Sequence, residues 1–145
     1  MPPDVVQVFD SYPARARARL RALRSTIFDV AADIDGVGPL EEALRWGEPA
    51  YLTTESRSGT TIRIGWKAAR PDDYSLYVNC RTTLVDTWST LFPDLPCVGD
   101  RELRFPLRSS PPPCLPECIA LALTYRKPKL LAGRIAGSGV RAPIG

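Results

Sequence analysis

The chain has 145 residues, of which 44% are hydrophobic and 24% are charged, and its formal net charge is +3. This length and composition favour a single globular domain with a core of ordinary size. No apolar run reaches the roughly 18 residues that a membrane-spanning helix requires, so we expect no contact with a membrane interior. The charge is mild and its acidic residues are interspersed, which argues against a dedicated nucleic-acid surface.

The sequence contains no histidine. This removes the usual general base and the commonest metal ligand, so we predict that the protein is not an enzyme and has no cofactor. The start of the chain lacks the basic-then-apolar pattern of a secretory signal, which predicts a cytoplasmic location. Cys80, Cys97, Cys114 and Cys118 are therefore expected to be reduced structural thiols, with a redox role for Cys114 and Cys118 left open.

Apolar residues recur three or four positions apart at the start of the chain. Val5 and Phe9 favour a short helix, and the spacing from Ala16 to Val30 favours a long one that begins near Pro13. Its other faces carry five arginines, which suit either a phosphate backbone or a solvated surface. Without a base-reading motif the solvated surface is favoured. These arginines are Arg15, Arg17, Arg19, Arg21 and Arg24.

Acidic residues gather where the long helix is expected to end. Asp29, Asp33 and Asp35 lie at the negative end of the helix dipole, where carboxylates could collect a cation. With Glu41 or Glu42 they form the candidate metal-binding set. The alternative is that the aspartates are ordinary turn formers.

The segment from Glu41 to Thr54 is interpreted as the corner of the fold. A short helix from Pro39 is expected to end at Gly47, because glycine readily takes the left-handed conformation that closes a helix. Pro49 cannot continue that helix, so a strand is expected to begin near Ala50.

Alternating apolar residues predict strands over 50–54, 60–67 and 74–80, joined by short loops into an antiparallel meander. A further strand is expected around Phe105. Helices from Thr83, where Asp86 suggests a capping box, and from Pro116 complete the prediction.

The predicted fold class is α+β, with a twisted antiparallel sheet of about five strands and helices packed on one face. A single domain is predicted over residues 1–132. The glycine-, serine- and proline-rich segment 133–145 is predicted to be a flexible tail.

Several segments resemble the YdhG-like domain-of-unknown-function family: Leu44–Thr53, Gly59–Lys67 and Tyr74–Cys80, followed by Thr83–Thr87. The Trp-Gly-Glu-Pro-x-Tyr block is the most specific part, and the resemblance covers roughly residues 10–130. It implies a compact α+β fold similar to frataxin, and it brings no established catalytic residues. One branch of the family is described as an intracellular iron chaperone. The resemblance therefore implies iron delivery as the alternative function, with iron as the alternative cofactor.

The leading prediction is a non-catalytic binding or adaptor module for a small molecule or a protein. Aromatic walls and a few charged anchors near the corner would suit such a cleft. The alternative is that Trp46 and Tyr51 are core residues and that Arg45 pairs with Glu48. The candidate binding residues are Arg45, Trp46, Glu48 and Tyr51 near the corner, with Arg63, Lys67 and Tyr77 from the sheet.

Overall fold

A computed structural model describes residues 1–131, and the predicted tail over 133–145 lies outside them. The described part contains four named helices and six strands. The helices are α1 (Pro3–Ser11), α2 (Ala14–Asp33), α3 (Leu84–Leu91) and α4 (Leu115–Leu123). The strands are β1 (Glu41–Arg45), β2 (Glu48–Leu52), β3 (Ile62–Gly65), β4 (Asp73–Tyr77), β5 (Cys97–Val98) and β6 (Glu102–Pro106).

The strands form one open sheet in the order β1-β2-β3-β4-β6-β5. Every neighbouring pair is antiparallel. The predicted α+β class and the meander of β2, β3 and β4 are therefore confirmed, with six strands where about five were expected. The frataxin-like label stays a prediction.

The helices bury the apolar stripes that the sequence predicts. Ala16, Leu20 and Ile27 of α2 are fully buried. They belong to one continuous core cluster that also holds Ile64 of the sheet and Ile119 of α4. Because a helix stripe and the alternate residues of the strands converge there, this cluster holds the layers together.

The arginines of α2 were predicted to form a solvated surface, but most of them bind other parts of the chain. Arg17 donates from Nε to the Phe9 carbonyl at 3.2 Å, close to the end of α1. Arg19 donates from Nε to the carbonyl of Leu107 at 3.0 Å, beyond β6. Arg24 joins α2 to β1 through the carboxylate of Glu42. These side chains therefore attach α2 to its neighbours.

The predicted helix ahead of Gly47 is wrong, because Glu41–Arg45 is strand β1. Trp46 and Gly47 form a two-residue turn with φ values of 55° and 76°, and Arg45 lies opposite Glu48 in the register. Two successive left-handed residues are what a type I′ hairpin turn requires. Ladder pairing along all five residues of β1 outweighs the helix propensity of its Glu-Glu-Ala-Leu-Arg sequence.

Two details of the later helices also differ from the predictions. Thr83 precedes α3 as expected, but its side chain makes no capping hydrogen bond. Helix α4 ends at Leu123, before the break expected at Pro128. Within residues 1–131, no helix is both long and apolar enough to cross a membrane.

Candidate functional site

One face of the sheet carries a set of polar side chains, which we call the polar face. The register places Ala50, Arg63, Tyr77 and Glu102 in one row across four strands. The alternate residues of these strands, such as Ile64, point to the core. The polar face comprises Glu48, Arg63, Lys67, Ser75, Tyr77, Glu102 and Arg104.

Four of the predicted binding residues meet on the polar face. Glu48 accepts a hydrogen bond at Oε1 from Nη1 of Arg63. The guanidinium carbon of Arg63 lies 5.0 Å from the centroid of the Tyr77 ring, and Nζ of Lys67 lies 5.3 Å from it. Tyr77 therefore contacts two cations through its ring, and one of them is neutralised by Glu48.

The Glu48 carboxylate is held in a tight space. Burial raises its pKa, although the charges of Arg63 and Lys67 oppose that shift. Gly65 creates the space, because a Cβ at this position would lie 2.5 Å from Oε2 of Glu48. Burial also raises the pKa of nearby Tyr12 to about 12, and the Glu48 charge adds to the effect.

A second polar cluster lies on the same face around Glu102. Ser75 donates from Oγ to Oε2 of this carboxylate at 2.7 Å, and Arg104 donates from Nε at 3.0 Å. Burial disfavours the charged carboxylate, but these hydrogen bonds and the Arg104 charge outweigh it and lower the pKa of Glu102.

Beside these clusters lies an open groove of about 670 Å³, which we call the arginine groove. No aspartate or glutamate is among its described lining residues. Apart from the arginines, the lining has four threonines, one amide, one exposed thiol from Cys80 and one aromatic residue, Trp46; a leucine, a valine and a glycine complete it. The lining arginines are Arg45, Arg57, Arg63, Arg101 and Arg126.

The groove arginines differ in their pairing. Arg63 pairs with Glu48, and Arg101 pairs with its exposed neighbour Asp100 at 3.2 Å. Among residues 1–131, the other three have no carboxylate oxygen within the 4.0 Å limit of a salt bridge. They are Arg45, Arg57 and Arg126.

One wall of the groove is anchored to the end of α4. The Thr60 amide donates to the Ala122 carbonyl at 3.0 Å, and the Ser58 hydroxyl donates to the Leu123 carbonyl at 2.7 Å. The Arg126 amide in turn donates to the carbonyl of Ser58 at 2.8 Å. These bonds satisfy carbonyls at the helix end and fix the two segments that carry Arg57 and Arg126.

Gly59 permits this docking. A Cβ at Gly59 would lie 2.4 Å from the backbone oxygen of Ala122 and 2.5 Å from the carbonyl carbon of Leu123. The Gly59 amide donates a hydrogen bond to Oγ1 of Thr53 at 3.1 Å. The close approach of two backbones therefore requires glycine here.

Two aromatic residues of the predicted site lie apart. Trp46, at the tip of the β1–β2 hairpin, is 90% exposed and lines the groove. Tyr51 is fully buried on the core side, where its ring meets the Phe28 ring edge-on at 5.6 Å. Burial raises the pKa of Tyr51, and the charge of Glu42 adds to the shift. The structure thus places Trp46 at the groove and Tyr51 in the core.

The candidate metal-binding carboxylates have other partners or lie apart. Glu42 pairs with Arg24, and Glu41 accepts a hydrogen bond from the hydroxyl of Thr54 at 2.6 Å. Over the described residues, no three or more Asp, Glu or Cys side chains form a group that could hold a metal. Iron delivery, with Asp29, Asp33 and Asp35 as its predicted ligands, stays a prediction that no observation favours.

Sequence reasoning missed three of the groove arginines. Arg57 lies in the loop after β2, Arg101 just before β6 and Arg126 after α4. No local motif links them, because their neighbourhood arises only when the ends of the strands and α4 meet. The one local signal was Gly59 within a polar loop, which marks a close backbone approach.

Comparisons of this chain with protein-family models, with curated proteins and with solved structures gave no match. The resemblance to the YdhG-like family therefore stays a prediction.

Proposed function

We propose that the protein is a non-catalytic binding module whose arginine groove takes a small anionic ligand. The observation that carries this proposal is the lining itself: five guanidinium groups and no carboxylate among the described residues. Guanidinium groups are permanently charged and present donors in a rigid fork that suits carboxylate and phosphate oxygens. An anion in the groove would satisfy donors that have no ionic partner among residues 1–131.

The charge distribution supports this proposal. Like charges that converge on one concave surface repel each other and create a positive potential. Outside the groove, Arg104 pairs with the carboxylate of Glu102. The lining arginines Arg45, Arg57 and Arg126 lack such a carboxylate in the described part of the chain. A bound anion would replace their mutual repulsion by attraction.

The anchored wall also supports a binding role. Arg57 and Arg126 extend from segments joined to each other and to α4 by backbone hydrogen bonds. A preformed arrangement loses less conformational entropy when the ligand binds. The groove volume of about 670 Å³ lies within the range typical of small-molecule sites.

The chemistry of the lining supports binding without turnover. The side chains are guanidiniums, hydroxyls, an amide, a thiol and apolar groups. Guanidiniums cannot act as general bases at neutral pH, and the sequence supplies no imidazole. We therefore assign the groove to recognition.

Protection of a thiol tests this proposal. Cys80 is exposed and lines the groove, whereas Cys97, in β5, does not. Millimolar pyrophosphate should slow the alkylation of Cys80 by iodoacetamide and leave the rate at Cys97 unchanged, as measured by peptide mass spectrometry. Pyrophosphate should also raise the melting temperature, because it stabilises the folded state that binds it.

Two arginine variants test whether pyrophosphate binds in the arginine groove. Arg57→Ala removes a groove guanidinium and should weaken pyrophosphate binding about tenfold, as expected for one charge-assisted contact. Arg108→Ala removes an exposed arginine beyond the opposite end of β6 and should bind like the unaltered protein. Equal binding by all three proteins, or unchanged alkylation of Cys80, would contradict the proposal.

A further inference from the structure

The rim of the arginine groove carries one large aromatic side chain. Trp46 is 90% exposed, and no other aromatic residue is among the described residues of the lining. Its backbone is in the left-handed region, with φ of 55°, where Asn, Asp or Gly is far more usual in this type of turn. A bulky residue held in a costly backbone conformation is an outlier from which a functional role can be inferred, and the exposed ring is available to contact a ligand.

The other residues that line the groove indicate the chemistry of that ligand. The indole offers a flat surface on which a planar ring can stack. The guanidiniums of Arg57 and Arg126 suit phosphate oxygens. Thr54, Thr61 and other lining residues add hydroxyl groups that can hydrogen-bond to a sugar. The groove thus combines an aromatic surface, neutral polar groups and cations.

We propose that the ligand of the arginine groove is a nucleotide, with its base stacked on Trp46 and its phosphates bound by Arg57 and Arg126. This inference rests on the proposed function, since it specifies which small anion the groove takes. The volume of about 670 Å³ is sufficient for a mononucleotide. A simple anion such as pyrophosphate would use the arginines and leave Trp46 without a partner.

The single aromatic surface distinguishes a free nucleotide from a nucleic-acid strand. Grooves that follow a strand stack successive bases on several aromatic side chains. Here the described lining supplies one. One stacking surface in a groove that also carries several guanidiniums matches one base and its attached phosphates.

Calorimetric titration tests the inference with ADP, GDP, UDP, pyrophosphate and an oligothymidylate. The tightest nucleoside diphosphate should bind about tenfold or more tightly than pyrophosphate, which is the contribution expected of one stacked base. Trp46→Ala should abolish this advantage and leave the affinity for pyrophosphate unchanged. Trp46→Asn should do the same, and it guards against a damaged turn because Asn favours the left-handed conformation. Leu91→Ala removes an exposed apolar residue outside the groove and serves as the control.

The possible failures are distinguishable. If nucleotides and pyrophosphate bind equally and Trp46→Ala changes neither, the nucleotide inference is overturned and the anion-binding proposal stands. If no anion binds at millimolar concentration, both are overturned. If the oligothymidylate binds far more tightly than any nucleotide, with an affinity that falls steeply with added salt, the groove is a strand-binding surface and the nucleotide inference is wrong.

Discussion

The polar face and the arginine groove share a sheet and one residue, Arg63, but their charged side chains differ in whether they have ion-pair partners. On the polar face each carboxylate has a cation: Glu48 meets Arg63, and Glu102 meets Arg104. In the groove, Arg57 and Arg126 have no such partner in the described part of the chain. Loss of one partner from a buried ion pair destabilises the fold, whereas unpaired charges of one sign on a concave surface leave binding capacity free for a ligand.

The largest expected effect comes from removing a paired arginine and an unpaired one in parallel. Arg63→Ala leaves the Glu48 carboxylate, whose side chain is only 14% exposed, without its ion-pair partner. It should lower the free energy of unfolding by about 2–3 kcal/mol. Arg57→Ala breaks no ion pair with any described residue, so stability should change by less than about 0.5 kcal/mol.

Urea denaturation of the two variants and the unaltered protein measures this difference. The comparison between the two regions fails if both variants lose similar stability, because Arg57 would then have a structural role like that of Arg63. It also fails if neither loses stability, since Glu48 would then gain nothing from its partner.

The next largest expected effect is a pH-dependent change of about 1–2 kcal/mol in the free energy of unfolding, caused by Glu102. Its folded-state pKa lies below the ordinary value of 4.5, so its ionised form stabilises the folded state. That stabilisation is fully present above pH 4.5 and is lost as the pH falls through the folded-state pKa. Glu102→Gln should therefore be less stable than the unaltered protein at pH 7. The difference between their free energies of unfolding should become smaller towards pH 3.

Glu48→Gln is the control for that measurement, because its effect on stability should depend on pH in the opposite direction. The pKa of Glu48 is raised by burial, so the folded state binds the proton more tightly than the unfolded state does. Lowering the pH through the raised pKa should then stabilise the unaltered protein relative to Glu48→Gln. Unfolding curves for both variants and the unaltered protein between pH 7 and pH 3 show whether the two differences in free energy of unfolding change in opposite directions. Parallel pH profiles would contradict the assigned environments.

The contrast between the two regions also shows what the sequence could predict. The stripe of α2 from Ala16 to Val30 and the alternation of β3 and β4 follow from local periodicity, and both were confirmed. Alternation also placed Arg63 and Tyr77 on the same face, since β3 and β4 are consecutive strands. Neighbours that are close in sequence leave a local signal, and this signal defined most of the polar face.

The groove could not be predicted in the same way. Its arginines come from positions as distant as Arg45 and Arg126, and they converge only through the docking of the Ser58–Thr60 segment on α4. The β1–β2 hairpin was also missed. The Glu41–Arg45 sequence has good helix formers, and the turn that reverses it begins with Trp46 where Asn or Gly is the usual signal. Tertiary pairing therefore outweighed local propensity there.

The smallest expected effect is a gain in stability at that turn. Trp46 occupies the left-handed region at a cost of about 1–2 kcal/mol for an ordinary residue, whereas Asn tolerates it. Trp46→Asn should therefore raise the free energy of unfolding by about 1 kcal/mol, as measured by urea denaturation. It should also weaken the binding of nucleotides, so stability and affinity would move in opposite directions. Asp94→Asn, at an exposed turn outside the groove, is the matched control and should change neither by a comparable amount. A loss of stability in Trp46→Asn would mean that the indole packs on the hairpin, and its exposure would then need no ligand to explain it.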